Sequence, residues 1–268
     1  MPTMKKQTVL ITGASAGLGA EFARRLAARG DDLVLVARRA DRLERLAAEL
    51  TGVRVTTIAM DLAVPEAGAK LSAAVDAAGV TVTSLINNAG FGAQRLFHER
   101  DAAHVDAEVM LNVSSLVSIT HAFLDRLRAG DGFLINLASV VAFQPSPRMA
   151  VYAATKAFVL SFTEALWYEN RDSRLRVLAI CPGATETEFF EVAGQGADGG
   201  TRRMRADQVV ERALRAVERR NPPPVVVTGA LNKASALAGR FASRRLVTRV
   251  VGMMMDRSWA ATEVSSRV

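Results

Sequence analysis

Short β-rich runs recur along this chain: Thr8 to Ile11, Leu33 to Val36, Val53 to Ala59, Ser84 to Ile86, Phe133 to Leu137, Val177 to Ile180 and Val225 to Val227. Most show no clean polar alternation, which is how strands read when both faces of a parallel sheet are covered. Parallel neighbours cannot be joined by tight turns, so each connection must cross over, and the sequence between the runs is helix-forming. Ala20 to Arg29 and Asp41 to Leu50 are rich in Ala, Leu, Arg and Glu. Asp207 to Arg220 reads as another helix, with Asp207 at its N-cap, Val210, Leu214 and Val217 on one side, Arg219 and Arg220 at its end, and Pro222-Pro223-Pro224 stopping it. Strand, helix, strand repeated in this way predicts a doubly wound α/β fold: a seven-stranded parallel sheet, helices on both faces, and ligands at the carboxyl ends of the strands.

The 268 residues exceed the ~100 to 200 usual for one domain but suit one large α/β unit, with or without a tail. Half are apolar and 23% are charged, which excludes a disordered or collagen-like chain. Net charge is +7, yet residues 201 to 268 hold 14 basic and 5 acidic side chains, a net +9, leaving −2 on the first 200 residues. Any argument for an anionic partner is therefore confined to the C-terminal quarter. Cys181 is the only cysteine and cannot form an internal disulfide, so nothing requires an oxidising compartment. Val9-Leu10-Ile11 is too short for the apolar core of a signal peptide, and no run approaches the roughly 18 uncharged apolar residues of a membrane span. A cytoplasmic setting is expected.

The first run leads into Thr12-Gly13-Ala14-Ser15-Ala16-Gly17-Leu18-Gly19 and directly into a helix. Gly13 permits a tight turn, Gly17 a close backbone approach to a phosphate, and Gly19 close packing of helix on strand, while free N–H groups at the helix start face an anion. The spacing G-x-x-x-G-x-G is a variant of the dinucleotide fingerprint, and Ser15, Ala16 and Leu18 join the glycines as candidate pyrophosphate-binding residues. Arg38 and Arg39 end the second run, where an NAD enzyme places an acid for the ribose hydroxyls. Two guanidiniums suit a 2′-phosphate by charge and by forked hydrogen bonding, so NADP is expected over NAD; solvated arginines ahead of the next helix are the alternative. Asp61 and Leu62 follow the third run, where Asp61 either accepts from an adenine amino group or caps a turn.

Tyr152 and Lys156 stand i,i+4 in a helical segment and share a face. A phenol with a reference pKa of ~10 is a poor acid-base catalyst at neutral pH, and a neighbouring ammonium favours its phenolate. Ser139 ends the fifth run, at the sheet edge where a hydroxyl can hold a substrate oxygen. Asn87-Asn88-Ala89-Gly90 ends the fourth in the same way. Each has a bland alternative as a turn residue.

Together, Thr12-Gly13-x-x-x-Gly17-x-Gly19, Asn87-Asn88-Ala89-Gly90, Asn112, Ser139, Tyr152-x-x-x-Lys156 and Pro182-Gly183 resemble the short-chain dehydrogenase/reductase family, in order and interval, over roughly residues 7 to 230. The resemblance implies a Rossmann-type fold and hydride transfer between a nicotinamide and a carbonyl or alcohol. It implies Tyr152 as general acid/base, Ser139 as the oxygen-positioning hydroxyl, Lys156 on the nicotinamide ribose and lowering the Tyr152 pKa, and Asn112 holding a relay water. It places Asn88, Ala89 and Gly90 along the cofactor, and Pro182, Gly183, Thr185 and Thr187 near the nicotinamide amide. Arg38-Arg39 resembles the NADP-preferring members. Residues 1–230 are expected to form the dinucleotide-binding and catalytic domain, and 231–268 a basic helical extension.

Phe91, Phe143, Pro145, Phe189 and Phe190 neighbour the motif ends and suit either an apolar substrate pocket or core packing. Residues 192 to 201, with Gly194, Gly196, Gly199 and Gly200, suit a lid or a slack connection, and Arg202, Arg203 and Arg205 either attract an anionic substrate or are solvated. From Leu231 to Met255, one helical pattern sets Leu231, Ala234, Leu237, Ala238 and Phe241 against Lys233, Arg240 and Arg244. Docking on the body or a subunit contact is preferred there to an interfacial helix on anionic lipid, because Arg245 and Arg249 interrupt the apolar side. Nucleic-acid binding is not expected, since only Phe241 and Trp259 offer aromatics among the cations. His98, His104 and His121 have no metal-site spacing, so no metal is expected, and Cys181 reads as a packed small residue. The resemblance implies a homodimer or homotetramer. A dinucleotide-sensing protein without turnover is the rival reading, against which the complete Tyr, Lys, Ser and Asn set argues.

Overall fold

A computed structural model describes residues 5–219, 221–239 and 241–265. Strands β1 (Thr8–Thr12), β2 (Asp32–Ala37) and β3 (Val55–Ala59) alternate with helices α1 (Gly17–Ala27), α2 (Ala40–Glu49) and α3 (Ala67–Ala77). Then follow β4 (Ser84–Asn87), α4 (Ala102–Val109), α5 (Leu116–Arg128), β5 (Phe133–Leu137), α6 (Ala150–Glu169) and β6 (Arg176–Cys181). The chain closes with α7 (Phe189–Ala193), α8 (Ala206–Val217), β7 (Val225–Val227), α9 (Ala230–Ala238) and α10 (Arg244–Ser265). All seven strands lie where the β-rich runs predict, and all pair in parallel in the order 3-2-1-4-5-6-7.

Alternate strand residues face opposite layers, and the helices cover both. Val9 and Ile11 pack with Phe22, Leu26, Leu43, Leu46, Val210 and Leu214 of α1, α2 and α8. Leu10 packs on the other face with Leu71, Val75, Ile119, Phe123 and Leu166 of α3, α5 and α6. Because β4 returns on the far side of β1 from β2, the crossovers diverge between β1 and β4, and a crevice opens there at the carboxyl ends.

Three expectations change. Asp207 is not the N-cap of α8; Arg205 holds that place, and Asp207 lies in the first turn paired to Arg205. The stretch Ala102–Arg128 is long and apolar enough by composition to cross a membrane, its most apolar 18-residue window having a mean hydropathy of 1.3. Here it is a core helix, seated on the sheet through buried Leu116, Ile119, Phe123 and Leu127. The single pattern read from Leu231 to Met255 is two helices. Gly239 closes α9, and Ser243 starts α10 by accepting from Leu246 N–H at 3.3 Å, so the two wheels are out of phase. Arg240 lies outside the described residues. One side of α10 docks on the body: Arg148 donates to Asp256 at 2.6 Å, Ser258 donates to the Gly196 carbonyl at 2.7 Å, and the guanidiniums of Arg95 and Arg148 sit 5.8 and 5.2 Å from the Trp259 ring centre.

Candidate active site

The β1–α1 loop shows why three glycines are needed. Gly13 (φ +67°) and Gly17 (φ +53°) adopt left-handed backbone that side chains resist. A Cβ on Gly19 would lie 2.2 Å from the Gly13 carbonyl oxygen, so α1 packs onto the turn only because that atom is missing. No side chain caps α1, leaving the first N–H groups of the helix to an anion. Thr12 steadies this loop against β4: its hydroxyl accepts from Asn88 and Ala89 N–H at 3.0 and 3.1 Å, and the Asn88 amide donates to the Thr12 and Gly13 carbonyls at 2.9 and 3.1 Å. Asn87 points the other way, donating to Thr120 and Asn136 inside the core, so only the second asparagine of the pair reaches the crevice. Strand pleat separates the two.

A cavity of about 970 Å³ runs from this loop across the sheet edge. Its walls include Gly13, Ser15, Ala16, Gly17 and Leu18 at one end, with Arg38, Arg39, Asp61 and Leu62 beyond them. Asn88, Ala89 and Gly90 line the middle, and Ser139, Tyr152, Lys156, Pro182, Gly183, Thr185 and Thr187 the far part. Gly19 and Asn112 stand behind the wall. Arg39 donates to Ser15 and to Glu188, each at 3.1 Å, and Arg42 donates to the same carboxylate at 2.5 Å. Against burial, which raises it, these arginines hold the Glu188 carboxyl below its usual range. Asp61 accepts from Ala63 N–H at 2.9 Å, so one of its oxygens serves a turn. The Leu62 side chain is buried in the core, and its carbonyl accepts from Ser115.

Tyr152, Lys156 and Ser139 come together. The Lys156 ammonium is buried, donates to the Leu137 carbonyl at 2.7 Å, and sits 5.7 Å from the Tyr152 ring centre. Burial lowers its pKa to about 8, against smaller opposing influences from Cys181 and Glu108. Burial raises the Tyr152 phenol above its ordinary value, a hydrogen bond with Ser139 pulls it back, and the Glu108 carboxylate adds to the rise. Of the groups that shift the phenol, it is Ser139 that favours the phenolate. Phe189 packs on Tyr152 with ring centres 5.2 Å apart. Asn112 sits in a π-helical turn between α4 and α5 and is spent on protein groups: it accepts from Phe91 N–H at 3.1 Å and donates to the Phe91 carbonyl and Thr155 at 2.8 and 3.1 Å. It ties the loop after β4 to the helix that carries Tyr152.

Of the apolar residues singled out by position, Phe91, Phe189 and Phe190 line the cavity, whereas Phe143 packs against a core cluster. Arg203 is tied to Asp198 and Gln195 with its guanidinium 3.8 Å from the Phe190 ring centre, and Arg205 is tied to Asp207. Neither is a lure for an anionic substrate. The glycine-rich segment is thereby knotted, with α10 lying on it. Burial pushes the Cys181 thiol up to about 12, as befits a packed residue. Sequence reasoning missed His104, which lines the cavity edge-on to Phe91, and the buried Arg100–Glu108 pair on 2.5 Å contact. Glu108 had a signal, as an acid one helical turn before Asn112. Missed too were Val247, Val250, Val251 and Met254, which α10 contributes to the cavity lining.

A family model for the short chain dehydrogenases matches residues 7–197. The chain is 39% identical to sulfoacetaldehyde reductase 2 of Chromohalobacter salexigens over 192 residues, 70% of this chain and 76% of that protein. A short-chain dehydrogenase from Sphingobium yanoikuyae, solved in complex with NADPH, superposes with a TM-score of 0.77 at 36% identity, over 88% of this chain and 93% of that one. The bulky-bulky ketone specific alcohol dehydrogenase from Comamonas testosteroni gives 0.74 at 31% identity, over 89% and 93%.

Proposed function

The chain belongs to the short-chain dehydrogenase family, and from that premise we propose that it is an NADP(H)-dependent oxidoreductase acting on a lipophilic carbonyl compound or the matching secondary alcohol. The observation that carries this reading is that Tyr152 and Ser139 face the same cavity as an uncapped helix N-terminus and two arginines. The residues fit a dinucleotide: the loop Gly13 to Gly19 has the room and the free N–H groups for a pyrophosphate, Arg38 and Arg39 suit a 2′-phosphate, and Asp61 and Leu62 flank the adenine end. Asn88, Ala89 and Gly90 continue the wall, and Pro182, Gly183, Thr185 and Thr187 take the nicotinamide end. When bound, the nicotinamide supplies or accepts a hydride.

This chain's own groups manage the proton. Tyr152 gives its phenolic proton to the carbonyl oxygen as the carbon is reduced, and Ser139 donates a hydrogen bond that steadies the same oxygen. Lys156, its pKa lowered to about 8 by burial, binds ribose hydroxyls and returns a proton to Tyr152 through them. Asn112, its amide engaged by Phe91 and Thr155, holds the two walls in register and is assigned no relay water. Phe91, His104, Phe189, Phe190, Val250 and Met254 line the cavity, with Phe189 against Tyr152, and this lining suits a bulky apolar substrate. The likeness to a ketone-specific enzyme supports that class. The test is a panel of carbonyl compounds and alcohols with both cofactors, read at the nicotinamide absorbance. Tyr152→Phe is expected to lose about 10² to 10⁴-fold in turnover with NADPH binding retained. Full turnover in that variant refutes the assignment.

A further inference from the structure

The two C-terminal helices turn an apolar face to solvent. Leu231 and Phe241 are 86% and 85% exposed, and Leu237 joins them. On α10 the exposed apolar residues are Leu246, Val250, Met253 and Met254, which at about 100° per residue fall within roughly a third of the helix circumference. Leu246, Val250 and Met254 also line the cavity that holds Tyr152, so its lining is continuous with this exposed patch. Lys233, Arg244, Arg245 and Arg249 are exposed around it, and none has an acidic partner among the described residues. Arg245 and Arg249 border the apolar arc and do not interrupt it; Arg257 lies within it on a stem long enough to reach outward. Asp256, the one acid of α10 whose side chain is described, is held by Arg148.

A second copy of the chain is a poor cover, because a twofold interface sets the patch against itself and brings like charges together. A bilayer surface carrying negative charge meets the apolar arc and its cationic fringe at once. We propose that the α9–α10 face docks on an anionic phospholipid bilayer with the cavity mouth against the lipid, so that a lipophilic carbonyl compound enters from the membrane. The docking stands on the surface alone; the delivery rests on the oxidoreductase reading above.

The full chain is sedimented with vesicles of phosphatidylcholine, with and without phosphatidylglycerol. Pelleting is expected with the anionic vesicles, falling as salt rises. Arg244→Gln, Arg245→Gln and Arg249→Gln together are expected to weaken partitioning about 100-fold, at about fivefold per cation, and Leu237→Ser with Phe241→Ser to weaken it with the charge intact. No pelleting, pelleting that ignores vesicle charge, or equal pelleting of wild type and variants overturns the docking. So does a concentration-dependent dimer abolished by Phe241→Ser, which assigns the face to a second copy. For delivery, the triple variant is expected to slow reduction of a long-chain ketone held in vesicles and to leave a short soluble ketone unaffected; equal effects on both overturn it. Pelleting without any reductase activity supports the docking and refutes the catalytic reading.

Discussion

Replacing Lys156 with methionine is expected to stabilise the cofactor-free protein while removing its activity. The ammonium is buried and its pKa falls from 10.5 to about 8. Between those values the unfolded chain binds a proton that the folded one has lost, so folding becomes more favourable as pH rises through that window, and below pH 8 the whole cost is borne. A fall of about 2.5 pH units corresponds to about 3 kcal/mol. Methionine has nearly the same length and no charge, but it leaves the Leu137 carbonyl without its donor, a loss of about 1 kcal/mol. A gain of about 2 kcal/mol is therefore expected at pH 7, shrinking as pH rises from about 8 towards 10.5. Urea unfolding of both proteins across this range, followed by far-UV circular dichroism, measures it. A variant less stable than wild type at pH 7, or a difference that does not change with pH, refutes the reasoning.

Gly19→Ala is expected to cost about 2 kcal/mol or more in stability and to abolish dinucleotide binding, since its methyl would stand 2.2 Å from the Gly13 carbonyl oxygen; thermal melts with and without NADPH read both effects, and wild-type affinity refutes the packing argument. Arg38→Asp with Arg39→Ala is expected to lower the NADP to NAD preference in kcat/KM by about 10 to 100-fold, the worth of one charge-assisted hydrogen bond to a phosphate. An unchanged ratio rules out the 2′-phosphate assignment.

The sheet was legible because parallel strands buried on both faces leave unbroken apolar runs, and all seven lie where Thr8 to Val227 showed them. The glycine loop was legible because its backbone demands are absolute: no other residue fits at Gly13 or Gly19. What stayed hidden depends on direction and on distant partners. Asn87 and Asn88 are chemically identical, and only the pleat of β4 sends one to the core and the other to the crevice. The relation of Tyr152 to Lys156 follows from i,i+4 spacing, but the Leu137 carbonyl that holds the ammonium lies 19 residues earlier in the chain. Arg203 and Arg205 look alike in sequence as candidates to greet an anion, and each is neutralised by an acid that only the local fold brings near. The tail misled because a helical wheel assumes one continuous helix, and Gly239 with Ser243 resets the phase.

Glu188 gives the cavity a mechanical property. Its carboxylate is clamped by Arg39 and Arg42 at the adenosine end, and its neighbour Phe189 leans on the reactive phenol. One peptide unit thus spans the two chemistries like a tie-rod. On the oxidoreductase reading proposed above, replacing Arg39 to alter coenzyme choice removes one of the two ties on Glu188, and a change in substrate KM is expected to accompany the change in preference.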